Sequence, residues 1–182
     1  MDTYINGKHS VIEIQSDLRS EQIDEQAVRL MDSYANSVLR LAYSYLHNMS
    51  DAEDVLQETL IQFLRAQPKL ESVNHEKAWL LRVTINLSKN KLTYNKKRKT
   101  DELSDTLAAA ETEDLAFVWD AVKPLPQKYG EVVHLYYHEG YTTAQIALLL
   151  SKNEATVRSQ LQRARAKLKK VLREVYDFEE SV

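Results

Sequence analysis

The chain has 182 residues, a formal net charge of -3, 28% charged side chains, three Gly, three Pro and no Cys. Without cysteine there is no disulfide framework, zinc-thiolate site or thiol nucleophile, and so little Gly and Pro argues for an all-helical chain with short connections. There is no basic-then-apolar leader and no run of the ~18 apolar residues that span a bilayer, so the sequence predicts a soluble, cytoplasmic protein.

Residues 1–25 are polar and mixed and predict a partly ordered extension. From about Ile23 the apolar spacing becomes helical, with Val28, Met31, Ala35, Val38, Leu39, Ala42 and Leu46 on one face. A second helix is predicted from Ser50, because Ser50 and Glu53 have the spacing of a capping box and Asp51 and Glu53 suit the positive end of the helix dipole. It turns Val55, Leu56, Thr59, Leu60 and Phe63 inward. Asp51, Asp54, Gln57, Glu58 and Gln62 face outward, an acidic, amide-bearing surface suited to a basic partner helix. A third helix, from about Glu76, sets Arg82, Asn86 and Asn90 a turn apart on one face. Trp79, beside Leu80 and Leu81, reads as core, and the basic run Lys96 to Lys99 closes this first lobe.

Thr100 to Asp114 holds six acids and no base, a composition unable to bury much apolar surface, and reads as a linker. Its relaxed span is roughly 20 Å, enough for two lobes to occupy separate sites on one large partner. In the second lobe, Leu115, Val118, Ala121 and Val122 start a helix that Pro124 ends. Val132, Val133, Leu135 and Tyr136 mark another, stopped near Gly140. Thr142 and Gln145 then form a capping box for a helix carrying Ile146, Ala147 and Leu150, which stops at Ser151 to Asn153. Val157, Leu161, Ala164 and Leu168 make the apolar stripe of the last helix. Its other face carries Arg158, Ser159, Gln162, Arg163 and Arg165. Between Lys152 and Arg173 there are eight Lys or Arg and one acid, Glu154, so the pair reads as a DNA-binding helix-turn-helix.

Enzymatic chemistry has little footing. His134 and His138 are four apart and share a helix face, but the Glu of the H-E-x-x-H pattern is missing and no third ligand is evident, so neither metal nor cofactor is expected. A glycine-rich phosphate loop and a nucleophile triad are also absent, and the chain reads as a non-enzyme.

The stretch DAEDVLQETLIQFLRA resembles region 2 of bacterial sigma factors, in particular the small extracytoplasmic-function group, and the resemblance continues through AWLLRVTINLSKNKL. It resumes at LPQKYGEVVHLYYHEGYTTAQIALLLSKNEATVRSQLQRARAKL, which is similar to region 4. The resemblance covers roughly Val28 to Leu172, two signatures in the expected order. It implies an all-α fold of two small helical domains, region 2 over residues 26–99 and region 4 over 115–174, joined by the acidic linker 100–114 and followed by a tail at 175–182. It also implies a promoter-specificity subunit that binds core RNA polymerase through the β′ clamp helices and the β subunit, and directs transcription initiation in a stress or envelope-signal regulon.

By position in that family, Asp51, Glu53, Asp54, Gln57 and Glu58 would dock on the polymerase. Arg82, Asn86, Lys89 and Asn90 would read and hold the -10 promoter element, with Lys91 and Lys96 to Lys99 adding phosphate charge. Thr156, Arg158, Ser159, Gln162 and Arg163 would meet the -35 element. The chain departs from the family at the loop KLESVNH, which lacks the usual Gly, and at Gly130, Gln145, Ala155 and Gln160. An anti-sigma factor is the further expected partner, with promoter DNA and without membrane insertion. The rival reading is a conventional operator-binding regulator whose N-terminal lobe dimerises or senses a signal.

Overall fold

The computed structural model describes residues 3–101 and 125–176, which form helices and short connections without a strand among the described residues. Helix α1 spans Thr3–Leu46. The extension expected at residues 1–25 is therefore, from Thr3 onward, the start of that helix. No Gly or Pro occurs between Lys8 and Leu46 to interrupt it. Ala27, Leu30, Val38, Leu41, Ala42 and Tyr45 are its buried face, whereas Val28, expected on that face, is 61% exposed. A rotation of about 100° per residue puts Val28 well off the line joining Ala27 and Leu30.

Helix α2 covers Met49–Ala66, and its N-cap is Asn48, whose side chain accepts from the Asp51 amide at 2.9 Å. Ser50 is thus inside the first turn, and the box expected from Ser50 and Glu53 is replaced by a cap two residues earlier. Helix α3 covers Val73–Asp101, also starting before its expected Glu76. Ser72 begins it: its hydroxyl accepts from the His75 amide at 3.2 Å and its carbonyl from Glu76 at 3.0 Å. Glu76 is buried and receives both guanidinium nitrogens of Arg29 at 3.0 and 2.5 Å, pinning α3 to α1.

Helix α4, Gln127–Val133, runs into a π-helical turn at His134–His138. Gly140 follows with φ +75, where an added Cβ would meet open space but the backbone conformation favours glycine. Helices α5, Thr143–Leu150, and α6, Glu154–Tyr176, complete the order. The linker from Glu102 onward, the helix expected at Leu115 to Val122 and the end of the tail lie outside the described residues. With only three glycines, the chain uses His47 (φ 50), Gln67 (φ 41) and Ser151 (φ 53) for left-handed helix stops, at about 1 kcal/mol each relative to glycine.

Ala27, Leu30, Val38, Phe63 and Leu80 form a core among α1, α2 and α3, with Trp79 half-buried edge-on to Phe63 at 6.0 Å. A larger core crosses between the lobes. It joins Leu41 and Tyr45 of α1 and Leu81 and Ile85 of α3 to Val132, Leu135, Ile146, Leu149, Leu150, Val157 and Leu161 of the C-terminal helices. The two lobes are packed against each other, not merely tethered. No described helix is long and apolar enough to cross a membrane.

Candidate nucleic-acid interface

The capping box read at Thr142 is complete: the Gln145 amide donates to its hydroxyl at 3.3 Å, and the Gln145 side chain accepts from the Thr142 amide at 2.9 Å. Ser151 closes α5 in the left-handed conformation, and Asn153 caps α6 by accepting from the Ala155 amide at 2.8 Å. Three residues between the helices, Ser151 to Asn153, fix their crossing. Val157, Leu161 and Ala164 are fully or nearly fully buried against α4 and α5, so rotation about α6 turns Thr156, Arg158, Gln162 and Arg163 to solvent, with Ser159 at the edge. Arg158 reaches Glu154 only at 3.9 Å and exposed, a weak restraint that leaves the guanidinium available. The Thr143 hydroxyl donates to the same Glu154 oxygen at 2.6 Å. Arg165 faces elsewhere: its Nε donates to the Tyr137 hydroxyl at 2.7 Å and its guanidinium lies 5.7 Å from the Tyr136 and Tyr137 ring centres.

On α3, Arg82, Asn86 and Asn90 are exposed on successive turns of one face, as their spacing required. Two members of the basic set are engaged by the C-terminal lobe. Arg82 donates to the Leu148 carbonyl at 2.7 Å, a cation on the C-terminal end of α5 where the helix dipole favours it. Lys89 lies 3.2 Å from the buried carboxylate of Glu131 and over the Tyr45 ring. Lys91 turns to α2, 3.1 Å from Asp51 and 2.6 Å from Asp54, while Asn95 donates to Asp51 at 2.9 Å.

The outward face of α2 therefore has two parts. Glu53 and Gln57 are exposed, and Glu58 lies beside Gln62 at 3.2 Å. Asp51 and Asp54 share the Lys91 ammonium. That leaves a surface still acidic overall, with its N-terminal carboxylates braced on α3.

Sequence reasoning missed the two carboxylates at the seam. Glu131, 5% exposed, accepts from the Tyr45 hydroxyl at 2.7 Å and pairs with Lys152 and Lys89. Burial pushes its carboxyl up, but Lys152 and Tyr45, with Lys89 behind them, draw it below the ordinary carboxylate range. Burial, with the same contact behind it, raises the Tyr45 hydroxyl far above its usual value. Glu139 pairs with Lys77 of α3 at 2.8 Å and stands 3.4 Å from His134 Nε2. Burial again opposes ionisation there, and His134 and Lys77 overcome it, holding the group at about 2. An acid inside the apolar run GEVVHLYY was the one available signal, since a buried charge needs partners.

The family model for Sigma-70 region 2 matches residues 30–98, and that for Sigma-70, region 4 matches residues 118–168. The "ECF RNA polymerase sigma-E factor" of Haemophilus influenzae is 31% identical over 172 residues, with 81% of this chain and 88% of that protein covered. The "Probable RNA polymerase sigma factor RfaY" of Xanthomonas campestris pv. campestris is 28% identical over 166 residues; the match covers 82% of this chain and 41% of that longer relative. Among solved structures, the sigma factor RpoE bound to the anti-sigma factor NepR from Bartonella quintana has the same fold, with a TM-score of 0.68 at 19% identity over 86% of this chain and 99% of that one. The two matched regions take up most of the chain, in the order in which the acidic α2 face and the cationic α6 face occur, and the chain belongs to the extracytoplasmic-function group of sigma-70 RNA polymerase sigma factors.

Proposed function

We propose that this chain directs transcription initiation by docking α2 on core RNA polymerase, holding and reading the -10 element with α3 and reading the -35 element with α6. The observation that carries the reading is the pairing of two exposed helix faces of opposite character on one frame. Glu53, Asp54, Gln57 and Glu58 on α2 suit a basic partner helix, and Asp51, held by Lys91 and Asn95, lies at the same end. Arg158, Gln162 and Arg163 on α6 have the chemistry of major-groove readers: guanidinium groups pair bidentately with guanine and an amide with adenine. Thr156 and Ser159 lie beside them for backbone contacts.

Asn86 and Asn90 supply amides for unstacked base edges, and Arg82 and Lys89 supply phosphate charge. Both cations are engaged across the seam in the packed arrangement. The elements themselves are centred about 25 base pairs apart, about 85 Å of B-DNA at 3.4 Å per step. One packed body cannot serve both, so the lobes separate on the polymerase and release Arg82 and Lys89 as they do. An anti-sigma factor is the partner that would hold the chain out of that open state.

Run-off transcription from purified core polymerase, this protein and a promoter fragment tests the proposal. Transcripts that need both the protein and the promoter support it. Tight DNA binding by the isolated protein, with no association with core enzyme, would favour an operator-binding regulator instead.

A further inference from the structure

The geometry points to a divalent transition-metal site of the zinc class at the lobe seam, formed by His134, His138 and Glu139 with a fourth position open to water. The ligand atoms of these three residues all lie within 4.8 Å of one another. The π-helical turn brings them together. Its widened backbone bond, Glu139 amide to His134 carbonyl at 3.1 Å, sets positions i and i+5 above one another, where an α-helix would splay them. His134 and Glu139 are thereby aligned, and His138 follows at i+4 with its ring centre 4.9 Å from that of His134. The histidine pair alone lacked a third ligand; the turn geometry makes Glu139 that ligand.

The distances suit a small tetrahedral ion. Two ligand atoms on a shell of 2.0–2.1 Å stand roughly 3.4 Å apart at the tetrahedral angle, and His134 Nε2 and Glu139 Oε1 are already 3.4 Å apart. Only the His138 ring has to close in. That ring is the exposed member, giving both an entry path and room for a bound water, while the other two side chains are 1% and 2% exposed. Lys77 binds the other carboxylate oxygen, Glu139 Oε2, at 2.8 Å. It can therefore stay in place as an outer support that orients the ligating carboxylate and ties the site to α3. Its charge, with that of nearby Arg40, disfavours ions held by charge alone, such as Ca²⁺ or Mg²⁺. Two imidazoles and one carboxylate select ions that gain from nitrogen donation.

Cobalt(II) is the probe. Untagged full-length protein, which has no cysteine to supply competing thiolates, is titrated with Co²⁺ while the visible ligand-field band of the tetrahedral ion is followed, and Zn²⁺ is added to displace it. The expected result is a band saturating at one equivalent, bleached by Zn²⁺, and lost in His138→Gln, an exposed substitution that keeps the far-ultraviolet helical signal. Glu139→Gln should weaken the band at least tenfold in Co²⁺ concentration. A missing band, or a band of undiminished strength in His138→Gln, overturns the site. Neither outcome bears on promoter recognition, which rests on other faces of the chain.

Discussion

Replacing Glu131 by Ala removes a buried group that ties α1, α3 and the turn between α5 and α6 to α4, and its effect can be worked from the contacts. The Tyr45 hydroxyl loses its carboxylate acceptor at 2.7 Å in a buried setting, a loss of about 1–3 kcal/mol. Lys89 and Lys152 also lose a partner, but their side chains are 41% and 24% exposed and solvent relieves them, so each adds at most about 1 kcal/mol. The sum expected for Glu131→Ala is a destabilisation of about 1–5 kcal/mol. Glu131→Gln keeps an oxygen acceptor for Tyr45 and loses only the charge, so about 1–2 kcal/mol is expected. Urea unfolding followed by circular dichroism measures both, and the order wild type, Gln, Ala is the signature. Two variants within about 0.5 kcal/mol of wild type would refute the reasoning, because that is the range of ordinary surface changes.

Three further outcomes are expected, the first at the same carboxylate and the others at the α2 cap and the exposed face of α6. The Glu131 carboxyl is held below its unfolded value, so its contribution is complete above the ordinary carboxylate pKa of about 4.3 and is lost as pH falls through the lower folded value. The stability gap between wild type and Glu131→Gln, measured by urea titration, should be flat from neutral pH to about pH 5 and shrink below about pH 4; a gap that widens on acidification would contradict this. Asn48→Ala should cost about 1 kcal/mol in thermal or urea unfolding while Ser50→Ala costs far less, the reverse of what a cap at Ser50 requires. In fluorescence binding assays with holoenzyme, Arg158→Ala or Arg163→Ala should each weaken the -35 element by about 1–3 kcal/mol if it pairs with guanine. A uniform loss across sequences, with a shallower salt dependence, would mark a phosphate contact instead.

The elements were legible wherever a local pattern carries the physics. Thr142 and Gln145 interact within one turn, and their box formed as read; Val157, Leu161 and Ala164 lie on one stripe, and burying it fixed which side of α6 carries Arg158 and Arg163. The cap of α2 lies two residues before the one its sequence suggests because Asn48 and Ser50 are both good caps, and only the backbone conformation selects one. Val28 fits the apolar spacing of α1 but is exposed, because Ala27 and Leu30 satisfy the buried face better in the packed helix. The seam was not legible at all. Tyr45 and Glu131 are 86 positions apart, and no periodicity encodes a pairing between elements. The alignment of Glu139 with His134 depends on a π turn that the spacing of the two histidines does not announce.

In the proposed function α3 and α6 serve opposite ends of one promoter, although the lobes that carry them are packed together in the free chain. Because the chain has no cysteine, labels introduced by Tyr94→Cys and Lys167→Cys, both at exposed positions, report the distance between these helices by energy transfer. In a transcribing complex with core polymerase and promoter DNA the distance should grow by tens of ångströms relative to the free protein, toward the roughly 85 Å spacing of the elements. An unchanged distance in a complex that makes promoter-dependent transcripts would contradict the account.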